Sequence, residues 1–477
     1  LSNIAVMAVV ARIVAPNELG VFALALVVQA FLASMAELGV ASAIVRADLD
    51  VDRIAPTVTT ICLCFSLSLA GAMAVGAEEL AAALGSPEAA EPIRILAINI
   101  ALIGVFAVPG AQILREFRQN ILFWANIASF VVGSSVLVAL AWSGDGAIAF
   151  AWSRVAGQLA TGLVFVVAVR KVYWPALERK YLKPLLKFGV PLAMANLLSQ
   201  VLLNVDFVFV SWLMSPADVG IYMLAFNVAN WSAAVIATVL NSLVLPAFST
   251  IRRDGGDVAA ALGRAVRVVA LVACPVAAFT FTYGTELIVF IYGEKWAAGG
   301  PVLAVLSIFG FVFTLNLLFA NIIISASRTG LLFTVQLLAL VGLIPALAIG
   351  VRSGGLIGAG LAHIAVVLVI TFPVYVVAIR RSTGAGVSVI LRTLVRPSAA
   401  AVAAAVLASL ATSAIQMPGP RLLVGGITGA VAFILLTAPL LRDLLPERLV
   451  HGLPRMGGRR SGEQTGTAPS LENSGGQ

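Results

Sequence analysis

Long apolar runs separated by short polar breaks recur along the whole chain, a rhythm set by bilayer thickness and not by the periodicity of a soluble core. They predict membrane-crossing helices near residues 19–40, 55–77, 93–113, 121–142, 147–169, 188–213 and 219–245. Further ones follow near 266–289, 301–324, 331–350, 356–379, 397–415 and 422–441. The opening run, 1–14, gives only about 21 Å of helix against a hydrocarbon core of ~30 Å. Because the sequence starts without Met, a first helix lacking one or two turns is expected. The predicted fold is an all-α polytopic membrane protein of about fourteen transmembrane helices. Residues 442–477 read as a cytoplasmic tail, largely disordered, since little in it is apolar enough to bury.

Composition agrees with this reading. Hydrophobic residues make up 61% of the 477 positions and charged residues 11%, with a mean hydropathy of +1.05. A soluble domain carries about 25% charge. Basic residues then orient the chain. Alternate breaks collect Arg115 and Arg118, the run from Arg170 to Lys187, Arg252 and Arg253, and Arg380 to Arg396, until one face holds 24 of the 30 Lys and Arg. The other face has only Arg94, Lys295, Arg352 and Arg421. By the positive-inside rule both termini are cytoplasmic, so the span number is even. The net charge of +8 then meets anionic lipid headgroups and needs no nucleic acid.

The chain also repeats itself. Ala15-Pro16-Asn17-Glu18-Leu19-Gly20-Val21-Phe22 returns as Ser215-Pro216-Ala217-Asp218-Val219-Gly220-Ile221-Tyr222, an offset of 200. Leu84-Gly85 returns as Tyr292-Gly293, and Ala168-Val169-Arg170-Lys171 as Ala378-Ile379-Arg380-Arg381, with the offset drifting to 210. Each copy holds six spans, so the two stand parallel, related by an axis along the membrane normal, with two C-terminal helices outside the repeat. The expected organisation is a six-helix lobe over 1–169, a basic linker over 170–187, and a second lobe over 188–379. A basic linker over 380–396 and two extra helices over 397–441 follow. Such halves enclose a substrate and rock around it, which makes a transporter the leading expectation.

Ala11-Arg12-Ile13-Val14-Ala15-Pro16-Asn17-Glu18-Leu19-Gly20 and Ala36-Glu37-Leu38-Gly39-Val40 resemble signature segments of polysaccharide transporters. Lys187-Phe188-Gly189-Val190-Pro191, Leu245-Pro246-Ala247-Phe248-Ser249 and Tyr292-Gly293-Glu294-Lys295-Trp296 are similar to others in the same order. The family is the polysaccharide transporter branch of the multidrug/oligosaccharidyl-lipid/polysaccharide exporter superfamily, exopolysaccharide and teichuronic-acid exporter type. The resemblance implies a flippase in the bacterial inner membrane that carries polyprenyl-diphosphate-linked sugar units to the outer leaflet. Polysaccharide polymerase and glycosyltransferases are its implied partners.

An anionic sugar diphosphate needs cationic and hydrogen-bonding groups inside the bundle. Arg154 lies about eight residues into its span with Gln158 one turn on, where facing lipid would cost at least ~2.5 kcal/mol. It is either a diphosphate ligand or a structural bond to a neighbouring helix. Arg12, near a helix end, is a weaker candidate of the same kind. Asn196, Gln200 and Asn204 share a polar arc of the seventh span, and Asn227, Asn230 and Asn241 one face of the eighth. These stripes line a wet cavity or join helices. Asp206 and Glu37 are carboxylates within spans, candidates for proton or cation coupling or for structural pairing. His363 reads first as a packed, hydrogen-bonded histidine.

Other chemistry has no signal here. There is no Gly-Lys-Ser/Thr phosphate loop, no His-Glu-x-x-His and no expected cofactor or metal. Cys62 and Cys64 sit two apart, on different faces of one helix. No loop before the tail exceeds about 20 residues, which leaves little room for a catalytic domain and argues against a polysaccharide polymerase or ligase. A multidrug/cation antiporter shares the fold but calls for a more acidic cavity.

Overall fold

The computed structural model describes residues 2–37, 39–46, 51–171, 173–239, 257–325, 329–383 and 387–442. The first half contains α1 (Ser2–Ile13), α2 (Pro16–Ala36), α3 (Ala41–Arg46), α4 (Val51–Val75) and α5 (Ala77–Ala83). It ends with α6 (Ala90–Arg115), α7 (Gln119–Trp142) and α8 (Gly146–Val169). The second contains α9 (Arg179–Leu213), α10 (Pro216–Val239), α11 (Val258–Tyr292), α12 (Gly299–Ser325), α13 (Thr329–Val366) and α14 (Phe372–Thr383). After it come α15 (Val387–Ala411) and α16 (Pro418–Arg442).

Eleven helices among the described residues are long and apolar enough to cross a membrane. One of them, Gly330–Arg380, is 51 residues long and folds into two crossings at Gly355, whose φ of 57° and ψ of −137° suit only glycine. With α10 and the short α1, the repeat mates of α2 and α9, the described residues form fourteen membrane helices. The seventh begins earlier than the hydropathy suggests, at Arg179, because a basic amphipathic turn precedes the apolar run.

The repeated turn shows how sequence sets architecture. Pro16 and Pro216 open α2 and α10, where a missing N–H leaves no bond unmade. Two residues on, Glu18 accepts from the Ala15 amide at 2.7 Å, and Asp218 from the Ser215 amide at 3.0 Å and hydroxyl at 2.6 Å. Glu18 also accepts from the Gly146 amide at 3.2 Å, tying the start of α2 to the start of α8.

Packing is repeated too. In the first half α6 lies against α4 and α8, and α7 against α8; in the second, α12 lies against α10, α11 and α13. The halves meet chiefly through α2 against α10 and α9, while α15 and α16 cover α11. The end with Arg115, Arg118 and Lys171 is the basic end, and the other the far end. At the far end a single apolar core spans both halves, joining Leu24, Ile93 and Leu96 to Val210, Tyr222, Trp296 and Leu303. Toward the basic end there are two cores: Ile44, Ile54 and Val58 of the first half, joined by Leu185 from the start of α9, and Leu262, Phe319 and Ile379 of the second. The halves therefore share one core at the far end, while at the basic end the start of α9 reaches across to the first half's core.

One irregularity fixes the repeat register. Gly146-Ala147-Ile148 stands 209 residues before Gly355-Leu356-Ile357, whereas Arg170-Lys171 stands 210 before Arg380-Arg381. Between them lies a π-helical turn, Val367–Thr371, which absorbs the extra residue. On the α13 side of that turn, Arg154 and His363 are equivalent positions.

Candidate functional site

Small residues open the first half's cavity. Ser153 donates its hydroxyl to the Gly133 carbonyl at 2.8 Å, and a Cβ on Gly157 would lie 2.9 Å from the Ser129 hydroxyl. Helices α7 and α8 therefore approach closely, and the next residue, Arg154, projects over a cavity of about 610 Å³. Val6 and Met7 of α1, Asn99 of α6 and Asn126 of α7 complete its walls. The Asn99 amide oxygen is buried with no partner. Among the described residues no carboxylate or carbonyl pairs with the Arg154 guanidinium, which stands exposed to the cavity.

Gln158 lines this cavity and also a second one of about 480 Å³. The second lies between the halves, bordered by Ser34, Glu37 and Ser42 on one side and Asn196 of α9 on the other, and it extends to Leu114 and Leu122 near the basic end. Polar side chains thus form a continuous path from Arg154 through Gln158 to the cleft.

The second half holds a third cavity, about 380 Å³, walled by Phe226, Phe309 and Phe313 with Asn230, Asn316, Gln336 and His363. Both amide atoms of Asn316 are buried without partners. Against its wall sits Asp206, fully buried. Its Oδ1 accepts from the Phe207 amide at 3.0 Å; its Oδ2 accepts from the Tyr222 hydroxyl at 2.9 Å and lies 3.2 Å from His363 Nε2.

The far end is closed by bonds between the halves. Arg12 donates to the Phe290 carbonyl at 3.1 Å, Lys295 to the Arg12 and Val14 carbonyls at 3.0 and 2.8 Å, and Trp296 to the Ala11 carbonyl at 2.8 Å. The repeat-related corner is bonded alike: Ser211 to the Leu84 carbonyl, and Trp212 to the Ala83 carbonyl at 2.7 Å. At the basic end the segment between the halves is fastened to α4. Lys171 and Tyr173 bond Asp52 at 2.6 and 2.5 Å, and the Asp52 carboxylate pushes the exposed Lys171 ammonium above its ordinary value.

Residues 9–299 match the family model described as polysaccharide biosynthesis protein. The chain belongs to that family. It is similar to the lipopolysaccharide biosynthesis protein WzxC of Escherichia coli (strain K12), at 22% identity over 382 residues, covering 79% of this chain and 77% of that protein. It is also similar to the succinoglycan biosynthesis transport protein ExoT of Rhizobium meliloti (strain 1021), at 26% identity over 359 residues, covering 74% and 71%. In fold it resembles the lipid II flippase MurJ in an inward closed conformation, with a TM-score of 0.77 at 15% identity over 93% of this chain and 97% of that one. An inward-facing multidrug resistance MATE family transporter gives 0.65 at 18% identity, covering 82% and 95%.

In this polysaccharide biosynthesis family member the sequence-predicted polar residues fall into distinct places. Arg154, Gln158, Asn196 and Glu37 line the connected cavities, and Asn230 lines that of the second half. Arg12 lines none of these; lying in the last turn of α1, it reaches across to α11. Asn204 donates to the Gln200 carbonyl at 2.8 Å and to its side-chain oxygen at 3.3 Å, so the Asn204 amide nitrogen is engaged within its own helix. Asn227 is exposed, and Asn241 lies outside the described residues. Sequence reasoning passed over Asn99, Asn126, Asn316 and Gln336. Each is an amide within an apolar run, the signal that singled out the asparagines of α9 and α10.

Proposed function

We propose that this protein is a flippase that carries polyprenyl-diphosphate-linked oligosaccharide from the cytoplasmic to the outer leaflet of the bacterial inner membrane. The carrying observation is Arg154, an unpaired guanidinium over a polar cavity that continues through Gln158 into the cleft. A diphosphate satisfies it as a protein partner does not, because its planar fork bonds two phosphate oxygens at once. Asn99, Asn126 and Asn196 supply neutral hydrogen bonds for phosphate or sugar hydroxyls, with Asn230 on the wall of the second half's cavity. Glu37 stands at the mouth of the path as a candidate ion-coupling carboxylate. The positive-inside bias puts the basic end and both termini in the cytoplasm. The cleft then opens to the compartment where lipid-linked sugars are assembled, and glycosyltransferases and a polymerase act before and after it.

Alternating access follows from the architecture. The lobes 1–169 and 188–379 rock about their shared interface, breaking the far-end bonds and closing the basic-end cleft. A multidrug/cation antiporter fits the fold but not a cavity presenting an unpaired arginine. The test is accumulation of lipid-linked oligosaccharide on the cytoplasmic leaflet. Arg154→Ala abolishes export at normal membrane abundance, and Arg154→Lys reduces it in part. Normal export by Arg154→Ala makes Arg154 structural and removes the basis of this reading.

A further inference from the structure

The two halves place corresponding side chains at corresponding points. Offset 200 pairs Val6 with Asp206 and Phe22 with Tyr222; offset 209, before the π turn, pairs Arg154 with His363. In the second half these three residues bond one another: His363 Nε2 and the Tyr222 hydroxyl both meet Asp206 Oδ2. In the first half Val6 and Arg154 line one cavity, and Phe22 stacks on Phe150 at 5.0 Å. The first half's cavity therefore holds a fixed cation with no carboxylate on its wall. The other carries a titratable imidazole with a carboxylate fixed beside it.

We propose that Asp206 and His363 form a proton-binding site that couples proton movement to substrate translocation, a role that rests on the flippase reading above. The proton's place is His363 Nδ1. With Nε2 directed at Asp206, Nδ1 is the ring nitrogen left without a hydrogen-bond partner among the described residues, on a ring that lines the cavity. Uptake gives an imidazolium beside a carboxylate; release returns the neutral ring, and no other bond changes.

The surroundings favour a proton over a metal cation. Both Asp206 oxygens already accept hydrogen bonds, from Phe207 N–H and Tyr222 O–H, and His363 Nε2 lies against Oδ2, whereas a hard cation needs several free oxygens. The titratable groups facing His363 are few. Helix α9 gives Asp206, α10 gives Tyr222, α14 gives Tyr375 on the cavity wall, and α12 gives the neutral Asn316. Among the described residues no Lys, Arg or Glu lines this cavity. The ring sits between Phe309, at 4.9 Å between centroids, and Phe226, at 6.4 Å, so a change in its charge is felt where α10, α12 and α13 pack together. Histidine is the side chain whose ordinary titration falls near physiological pH.

The chain has two histidines, His363 and His451, so the site can be watched directly. In full-length protein labelled with 15N-histidine and carrying His451→Gln, a single imidazole remains. Its ring nitrogen shifts change with pH as the proton is taken up, and that response is altered in Asp206→Asn. In proteoliposomes, a fluorescent polyprenyl-diphosphate disaccharide crosses severalfold faster under an imposed pH gradient, and His363→Gln loses that acceleration while gradient-free crossing persists. An imidazole unchanged across pH 5–8, or acceleration by a sodium gradient alone, overturns the proposal. A titrating imidazole in protein that moves no disaccharide under any gradient sinks the flippase reading and leaves the proton site standing.

Discussion

Gly20 and Gly220, the same position in the two repeats, face each other where α2 crosses α10. A Cβ on Gly20 would fall 1.7 Å from the Pro216 carbonyl oxygen, and one on Gly220 would fall 2.1 Å from the Pro16 oxygen. Backbone touches backbone here because neither residue has a side chain, and this contact seals the far end. Adding a methyl group costs the closed state about 1–3 kcal/mol through overpacking. Gly20→Ala therefore shifts the population toward far-end opening. In protein freed of its native cysteines and spin-labelled at Glu79→Cys and Glu294→Cys, the distance distribution gains a longer component; an unchanged distribution refutes the assignment.

Arg12 separates closure from binding. Its guanidinium holds the Phe290 carbonyl, and Trp212, its repeat equivalent, holds that of Ala83. Each hydrogen bond contributes about 1 kcal/mol, more for the charged one. Arg12→Met and Trp212→Phe accordingly lengthen the same far-end distances while leaving the affinity for a lipid diphosphate in detergent within about twofold. A tenfold loss of affinity in Arg12→Met would return that residue to the binding site.

Val6 offers the converse test of the repeat. Val6→Asp places a carboxylate on the wall of the Arg154 cavity, at the position Asp206 occupies in the other half. Paired with it, Arg154 no longer offers a free charge, and diphosphate affinity falls by at least tenfold. The isosteric Val6→Thr leaves affinity near wild type. Equal behaviour of the two variants contradicts the proposed anion site.

Asp52 reports on orientation. It holds Lys171 and Tyr173 in an exposed ion pair that is worth little and weakens with salt. The raised ammonium of Lys171 contributes fully below its unfolded value of ~10.4 and is lost only as pH rises through a still higher one. Cleavage by trypsin after Lys171, measured relative to a free peptide substrate, is therefore unaffected by pH between 6 and 9. It accelerates severalfold in Asp52→Asn or at high salt, and it occurs in inverted vesicles alone. Cleavage in right-side-out vesicles reverses the proposed topology.

The fourteen-helix architecture was legible because bilayer thickness and the positive-inside bias leave strong marks on a sequence, and the Pro16/Pro216 turn repeats almost residue for residue. The placement of Arg154 over a cavity was legible from its depth alone. The bond between Asp206 and His363 was not: 157 positions separate them, and a lone polar residue in an apolar run reveals no partner. Nor was the contact between Arg12 and the Phe290 carbonyl visible, since a cation at a helix end reads the same whether it meets headgroups, substrate or a carbonyl of another helix. Equating Arg154 with His363 needed the π turn, because the offset read beyond it is one residue too large.

That π turn makes one crossing unequally sensitive to insertions and deletions. A residue added or removed between Gly355 and His363 turns the imidazole by about 100° and takes it away from Asp206. Removing one within Val367–Thr371 instead turns the bulge into a regular α-helical turn, with His363 and the Arg380 end both left in phase. Along this helix a length change is accommodated at a single turn, and a deletion scan should find its one tolerant window there.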